Sequence, residues 1–302
     1  MKSADRGGKD APLQLPVVWH NRRMSRESNQ GLPNQGLPNQ DLPLARMLDL
    51  ATRAAVAPSS LILSGYRNPT LPVENKSDGS PVTRFDREAE QQIRQILGSD
   101  AEQVWPVLGE EFGGDTAGAR YRWVVDPIDG TMPYSRGLPY FGTLVALEDV
   151  PARRALVGAI QLPAFGELYI AGRGLGARCN GSAINVAPRR ALTDCMVSAP
   201  EIQKFRQAGL TEGYERLGSV IRYFRGNGDC WMHAMAARGS VDAVVEFTLN
   251  RWDIAATEVL VEEAGGLFFT RPSRTAPGKY DAVFGSPSAA EEIVKLLDFR
   301  PE

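Results

Sequence analysis

The sequence predicts a layered α/β fold in which two subdomains share a cleft. Three observations carry this prediction. Apolar strands alternate with amphipathic helices, a β-branched strand near the middle ends in two acids and a glycine turn, and 302 residues at 43% apolar content can bury a substantial core. The expected division is a disordered extension over residues 1–43, an α+β subdomain over 44–198 and a smaller α/β subdomain over 199–302.

Within the extension, Gly31-Leu32-Pro33-Asn34-Gln35 recurs as Gly36-Leu37-Pro38-Asn39-Gln40 and in part as Asp41-Leu42-Pro43, a polar repeat too poor in apolar residues to pack. It reads as a regulatory or targeting tail, or as sequence upstream of a start at Met24 or Met47. From Leu44 onward, Met47, Leu48, Ala51 and Ala55 line one face of a helix that Pro58 ends or kinks. Asp86 falls in the first turn of the next helix, with Ala89, Ile93, Ile96 and Leu97 on its apolar face. Residues 104–108 form an apolar strand capped by Gly109-Glu110-Glu111. Val124-Val125 reads as a buried strand; Pro127 removes an N–H and ends its ladder, and Gly130 permits a turn that a side chain would block. Thr131 then begins a short helix whose first N–H groups favour anions.

Residues 142–147, 157–162 and 167–171 pair as a meander. Gly172-x-Gly174-x-Gly176 is its next hairpin turn, since Asn180-Gly181 and Pro188 leave no room for the helix of a dinucleotide loop. Gly228-Asp229-Cys230 starts a helix that Gly239 ends, and a strand over residues 241–247 delivers Glu246. Trp252-Asp253 opens the helical pattern Ile254, Ala255, Leu260, Val261 and Ala264, closed by Gly265-Gly266.

Asp126 and Asp129, three residues apart at a strand end, point toward one place, and Asp86, Glu110 and Asp253 are further acids at element ends. Each has a plainer role open to it. Asp-Pro and Asp-Gly are ordinary turn dipeptides, Asp253 suits a helix N-cap, and Thr83-x-x-Asp86 resembles a capping box. Convergence of all five would change the reading. Like charges about 4 Å apart cost roughly 4 kcal/mol per pair at an effective dielectric of 20, and a domain has only about 5–15 kcal/mol to lose. Clustered carboxylates therefore imply cations, and hard oxygen ligands suit magnesium.

The residues 76–86, Gly109-Glu110-Glu111, Asp126-Pro127-Ile128-Asp129-Gly130-Thr131 and Trp252-Asp253-Ile254-Ala255-Ala256 resemble, in order and spacing, the inositol monophosphatase superfamily of magnesium-dependent phosphomonoesterases. The resemblance runs from about Leu44 to the last residue. It implies an α/β/α/β/α sandwich, two or three Mg2+ ions held by Glu110, Asp126, the Ile128 carbonyl, Asp129 and Asp253, with Asp86 reaching one through water, and a homodimer. It also implies that Thr131, paired with Asp86 or Glu110, orients the attacking water, and that Lys76, Gly130 and Thr131 border the substrate.

By the same likeness Glu246 contacts a substrate hydroxyl, while Asp229 stands where inositol phosphatases typically carry a small residue. Two carboxylates facing the alcohol suit a cationic one, because a charge-assisted hydrogen bond contributes about 1.5–3 kcal/mol. Gly228-Asp229-Cys230-Trp231 and Gly137-x-Pro139-x-Phe141 look like the histidinol-phosphatase branch, although Met132 replaces a basic or small polar residue. The expected substrate is L-histidinol phosphate, with inositol 1-phosphate or a related sugar or nucleotide phosphate as the alternative. A phosphometabolite-binding relative without catalysis is the competing class, and Thr131 argues against it.

Other chemistries lack their residues. The haloacid dehalogenase signature would place its nucleophile on Pro127, and two histidines, His20 in a polar tract and His233 packed in a helix, are too few for histidine-based phosphatases. Cys179, Cys195 and Cys230 have no zinc or CxxC spacing and fit free thiols in a reducing compartment. A net charge of −2 gives no basic field for nucleic acid, and no apolar run suits a membrane span or secretion signal. A cytoplasmic enzyme acting on a small phosphorylated metabolite is expected.

Overall fold

A computed structural model describes residues 42–77, 79–99, 104–226 and 228–301. The repeat-bearing extension lies outside the described residues, apart from its last two. Helices α1 (Leu44–Val56) and α2 (Ser59–Gly65) lead to a ribbon of β1 (Glu74–Asn75) and β2 (Pro81–Val82), then to α3 (Arg84–Leu97). Met47, Leu48, Ala51 and Ala55 are buried on α1 as their spacing predicted. On α3, Ala89, Ile93 and Leu97 are buried and Ile96 only half so.

A seven-stranded sheet follows in sequence order: β3 (Val107–Gly109), β4 (Tyr121–Asp129), β5 (Gly142–Asp149), β6 (Arg154–Leu162), β7 (Glu167–Gly172), β8 (Gly176–Cys179) and β9 (Ser182–Ala183). Only β3 and β4 run parallel; the rest is the predicted meander and hairpin. Every residue of β5 is buried, the pattern of a strand covered on both faces. A helix of one turn, α4 (Thr131–Ser135), separates β4 from β5.

The second sheet has the order β11-β10-β12-β14-β13, from β10 (Met196–Ser198), β11 (Tyr223–Arg225), β12 (Ala243–Leu249), β13 (Leu267–Pro272) and β14 (Tyr280–Gly285). Around it lie α5 (Ile202–Gln207), α6 (Thr211–Val220), α7 (Asp229–Ala237), α8 (Arg251–Glu263) and α9 (Pro287–Leu296). Two cores define the layers. Val124, Leu144, Ala146 and Ile160 pack with Ala234, Ala255 and Val259 and, beyond them, with Val244, Ala282 and Phe284, so α7 and α8 fill the space between the sheets. Val197, Val245 and Val283 turn the opposite way onto Phe205, Leu217, Ala289 and Ile293 of the outer helices. With α1 and α3 against the seven-stranded sheet, the result is an α/β/α/β/α sandwich.

Two sequence expectations need correction. The strand before Glu110 begins at Val107, and Val104 is exposed: Pro106 offers no N–H, leaving its carbonyl to accept the Trp123 N–H at 2.9 Å. Nor does Pro127 end β4. The strand runs to Asp129 through a register shift after Asp126, and Thr143 Oγ1 donates to the Pro127 carbonyl at 2.8 Å. A bulge absorbs the residue that cannot donate.

α8 is tied to the large sheet by alternating charges. Glu148 accepts from Arg122 and Arg251, each at 2.7 Å; Arg251 also reaches Glu258 at 2.6 Å, and Glu258 accepts from Arg173 at 3.0 Å. Glu148 is almost fully buried, and removing Arg251 would leave it with Arg122 and leave Glu258 with Arg173. Arg251→Met should cost about 1–3 kcal/mol of unfolding free energy in urea titrations; no measurable loss would show that the chain of charges does not anchor the helix.

Candidate active site

The site begins where β4 stops. Asp126 is buried, Asp129 lies beyond the bulge, and Gly130 turns the chain at φ +83°. A Cβ on Gly130 would stand 2.4 Å from the Tyr140 carbonyl oxygen, so no other residue fits. Thr131 opens α4, whose five residues make it too short for a sizeable dipole. The Ile128 side chain is buried in a core with Phe85, Tyr134 and Phe141, which fixes the backbone that presents its carbonyl.

Asp86 comes from the first turn of α3. Its Oδ2 accepts the Thr83 N–H at 2.8 Å and the Thr83 hydroxyl at 2.6 Å, the predicted capping box. Its other oxygen faces Thr131, whose Oγ1 lies 3.0 Å from both Asp86 Oδ1 and the Ile128 carbonyl and shares one proton between them. Asp86 therefore does two jobs. Burial raises its pKa, and Glu110 adds to the shift against the hydrogen bonds of Thr83 and Thr131.

Glu110 and Glu111 form a corner after β3. The Glu110 N–H donates to the Val125 carbonyl at 3.1 Å, and the Glu111 N–H donates to Glu90 Oε2 at 2.7 Å. Glu90 is fully buried on α3, is held by Arg94 at 2.7 Å, and fills the space that a Cβ on Gly109 would need. Lys76 reaches Glu110 Oε1 at 2.8 Å and Glu111 Oε1 at 2.6 Å. Burial pulls its pKa down, but the two carboxylates outweigh that and hold the ammonium above its ordinary range. Burial also pushes Glu111 up to about 7 against the pull of Lys76.

Asp253 is the third residue of α8, not its N-cap: that position is Asn250, whose N–H donates to Asp253 Oδ2 at 2.7 Å. Asp126, Asp129 and Asp253 each place a carboxylate oxygen within 4.8 Å of the others. Asp126 Oδ1 is buried and has no hydrogen-bond partner among the described residues. Burial, then neighbouring carboxylates, hold Asp126 and Asp129 well above the usual carboxylate range, and Asp253 is pushed up to about 7 by burial with help from Glu110 and Glu246. Three converging acids and an orphaned oxygen fit a hard divalent cation.

On the far side, α7 starts against this cluster. The Cys230 N–H donates to Asp129 Oδ2, and the Asp229 N–H donates to Glu246 Oε1 at 3.1 Å. Glu246 is buried, and Gly228 occupies the N-cap position of α7. Of the acids that the sequence singled out, Asp126, Asp129 and Asp253 converge; Glu110 and Asp229 lie near enough to raise the pKa of Asp126 and Asp129 respectively, and Asp86 faces Thr131. The structure adds Glu90 and Arg94 behind Glu111, and His233 and Thr257 behind Glu246. In the sequence these four were helix residues without a motif.

Fold and site together define a phosphoric monoester hydrolase built on an α/β sandwich. The model of the inositol monophosphatase family matches residues 44–302. The chain is 36% identical to the histidinol-phosphatase of Chlorobaculum parvum, over 74% of this chain and 85% of that protein, and 34% identical to the histidinol-phosphatase of Streptomyces coelicolor, over 84% and 97%. The solved inositol monophosphatase of Zymomonas mobilis superposes with a TM-score of 0.72 at 28% identity, covering 85% of this chain and 100% of the other. The chain belongs to the inositol monophosphatase family, whose members act on small phosphorylated substrates and generally depend on a metal, Mg2+.

Proposed function

We propose that this protein is a magnesium-dependent phosphatase of a small cationic alcohol, L-histidinol phosphate, releasing L-histidinol and phosphate. The convergence of Asp126, Asp129 and Asp253 around an unpaired buried oxygen carries the metal half of this reading. Those three acids would hold magnesium, with Glu110 and the Ile128 carbonyl as further oxygens beside them. When bound, magnesium supplies charge against the phosphate and acidifies water. Thr131 orients the attacking water through its hydroxyl, and Asp86, already accepting from Thr131, fixes that hydroxyl. Gly130 lets the backbone approach the phosphate closely, and Lys76 tempers the negative charge of the Glu110 corner.

Asp229 carries the substrate half. It is half-buried beside Glu246, and among the described residues no group bonds its carboxylate. An unpaired acid at that place favours a cationic group over a neutral polyol. With magnesium present, hydrolysis of histidinol phosphate should exceed that of inositol 1-phosphate, fructose 1,6-bisphosphate and adenosine 3′,5′-bisphosphate, and a chelator should stop it. Asp229→Ala should lower kcat/KM for histidinol phosphate about 10- to 100-fold and for inositol 1-phosphate less than threefold. Equal losses on both esters would remove the argument for an amine. Ligand binding without phosphate release would instead identify a non-catalytic binder.

A further inference from the structure

Glu246 and Asp229 are not equivalent neighbours. Glu246 has both oxygens engaged: Oε1 accepts the Asp229 N–H, and Oε2 lies 2.9 Å from His233 Nε2. On the other side of the ring, His233 Nδ1 lies 2.9 Å from Thr257 Oγ1. Thr257 is on α8, one turn beyond Asp253, and is fully buried; His233 is 1% exposed, with its ring edge-on to Phe284 at 5.1 Å between centroids. Three elements, α7, β12 and α8, therefore meet through one imidazole.

The proton at Nε2 is assigned by chemistry. An ionised carboxylate can only accept, so Nε2 carries hydrogen, while the Thr257 hydroxyl can donate to a neutral ring or accept from a charged one. The strut holds in either state. Burial draws the pKa of His233 down, but Glu246 outweighs it and lifts it to about 8. The near end is equally constrained. A Cβ on Gly228 would come 2.6 Å from Glu246 Oε1, and Asp229 itself adopts a left-handed backbone at φ +59°, which the hydrogen bond to Glu246 helps to hold.

We propose that His233, braced by Thr257, is a positioning residue for substrate recognition: it locks Glu246, Glu246 locks the backbone of Asp229, and the Asp229 carboxylate is left as the group that meets the substrate. This rests on the proposed phosphatase reading and divides labour within it. Glu246 is then a clamp whose negative charge His233 offsets, and discrimination among alcohols depends on Asp229.

The test uses the full-length enzyme with magnesium. His233→Leu cannot donate, and His233→Gln can return one N–H toward Glu246. Wild type first identifies its preferred ester in the panel above; each variant is then compared on that ester and on p-nitrophenyl phosphate, which has no cationic group. His233→Leu should raise KM for the preferred ester about tenfold or more with kcat changed less than threefold, while p-nitrophenyl phosphate selectivity collapses toward parity. His233→Gln should recover most of the difference, and Thr257→Val should shift KM in the same direction to a smaller extent. Equal losses on both esters, or no rescue by glutamine, would overturn the proposal. If His233→Leu fails to fold, Thr257→Val decides it: KM should rise for the preferred ester and not for p-nitrophenyl phosphate, and an equal rise on both or no rise would overturn the proposal. A wild type that prefers inositol 1-phosphate would refute the amine substrate yet leave the comparison for His233 intact.

Discussion

Asp129→Asn should lower phosphate release by about a thousandfold at saturating magnesium, the scale of losing one preorganised electrostatic group at a reacting centre, and should weaken magnesium binding in a calorimetric titration. The fold should survive. Asparagine keeps an acceptor for the Cys230 N–H, which donates to the Asp129 carboxylate from α7. The substitution also removes one of three acids that crowd within 4.8 Å, so the metal-free protein should melt at a higher temperature than wild type. Activity within threefold of wild type would refute the ligand set, and a lower melting temperature would show that Asp129 is structural.

The second large effect is a reversal of pH dependence by magnesium. In the metal-free protein, burial and mutual repulsion raise Asp126 and Asp129 well above the carboxylate range, Asp253 and Glu111 to about 7, and Asp229 to about 6. An unfolded chain ionises these groups near pH 4. Between about pH 4 and 7 the folded state therefore holds protons that the unfolded state has lost, and stability falls as pH rises. His233 acts in the same sense: lifted to about 8, it contributes stability below pH 6.5 that is lost as pH climbs through 8. The melting temperature without metal should thus drop by at least about 5 °C from pH 5 to pH 8. Magnesium competes with those protons, so the stabilisation it confers should grow over the same interval. A metal-free melting temperature that is flat or rising would mean that the acids do not crowd one another.

The parts of the site that the sequence disclosed are those whose geometry is local. Asp126 to Thr131 lie on one bend, Thr83 and Asp86 on one helical turn, and Asn250 and Asp253 on another, so the identity and spacing of neighbours already constrain where each side chain points. Misreadings arose where a local rule met a tertiary exception. Pro127 has the chemistry of a strand end, but the bulge and the Thr143 hydroxyl let β4 continue. The plainer role open to Asp253, that of an N-cap, is taken by Asn250, which leaves Asp253 one carboxylate oxygen to turn inward. His233 and Glu90 gave no signal because their importance depends on which strand or corner packs against the helix that carries them. His233 matters only once β12 and α8 flank α7, and Glu90 only once the Glu110 corner folds over α3.

Asp126 and Asp129 belong to a strand near the middle of the chain, whereas Asp253 opens a helix close to its finish. During synthesis the first two acids leave the ribosome while the third is still unmade. On the proposed ligand set, a nascent polypeptide would offer an ion two of these three acids, and the third would join them once α8 had packed against the sheet. A chain ending before α8 should therefore bind magnesium more weakly than the full chain in a calorimetric titration.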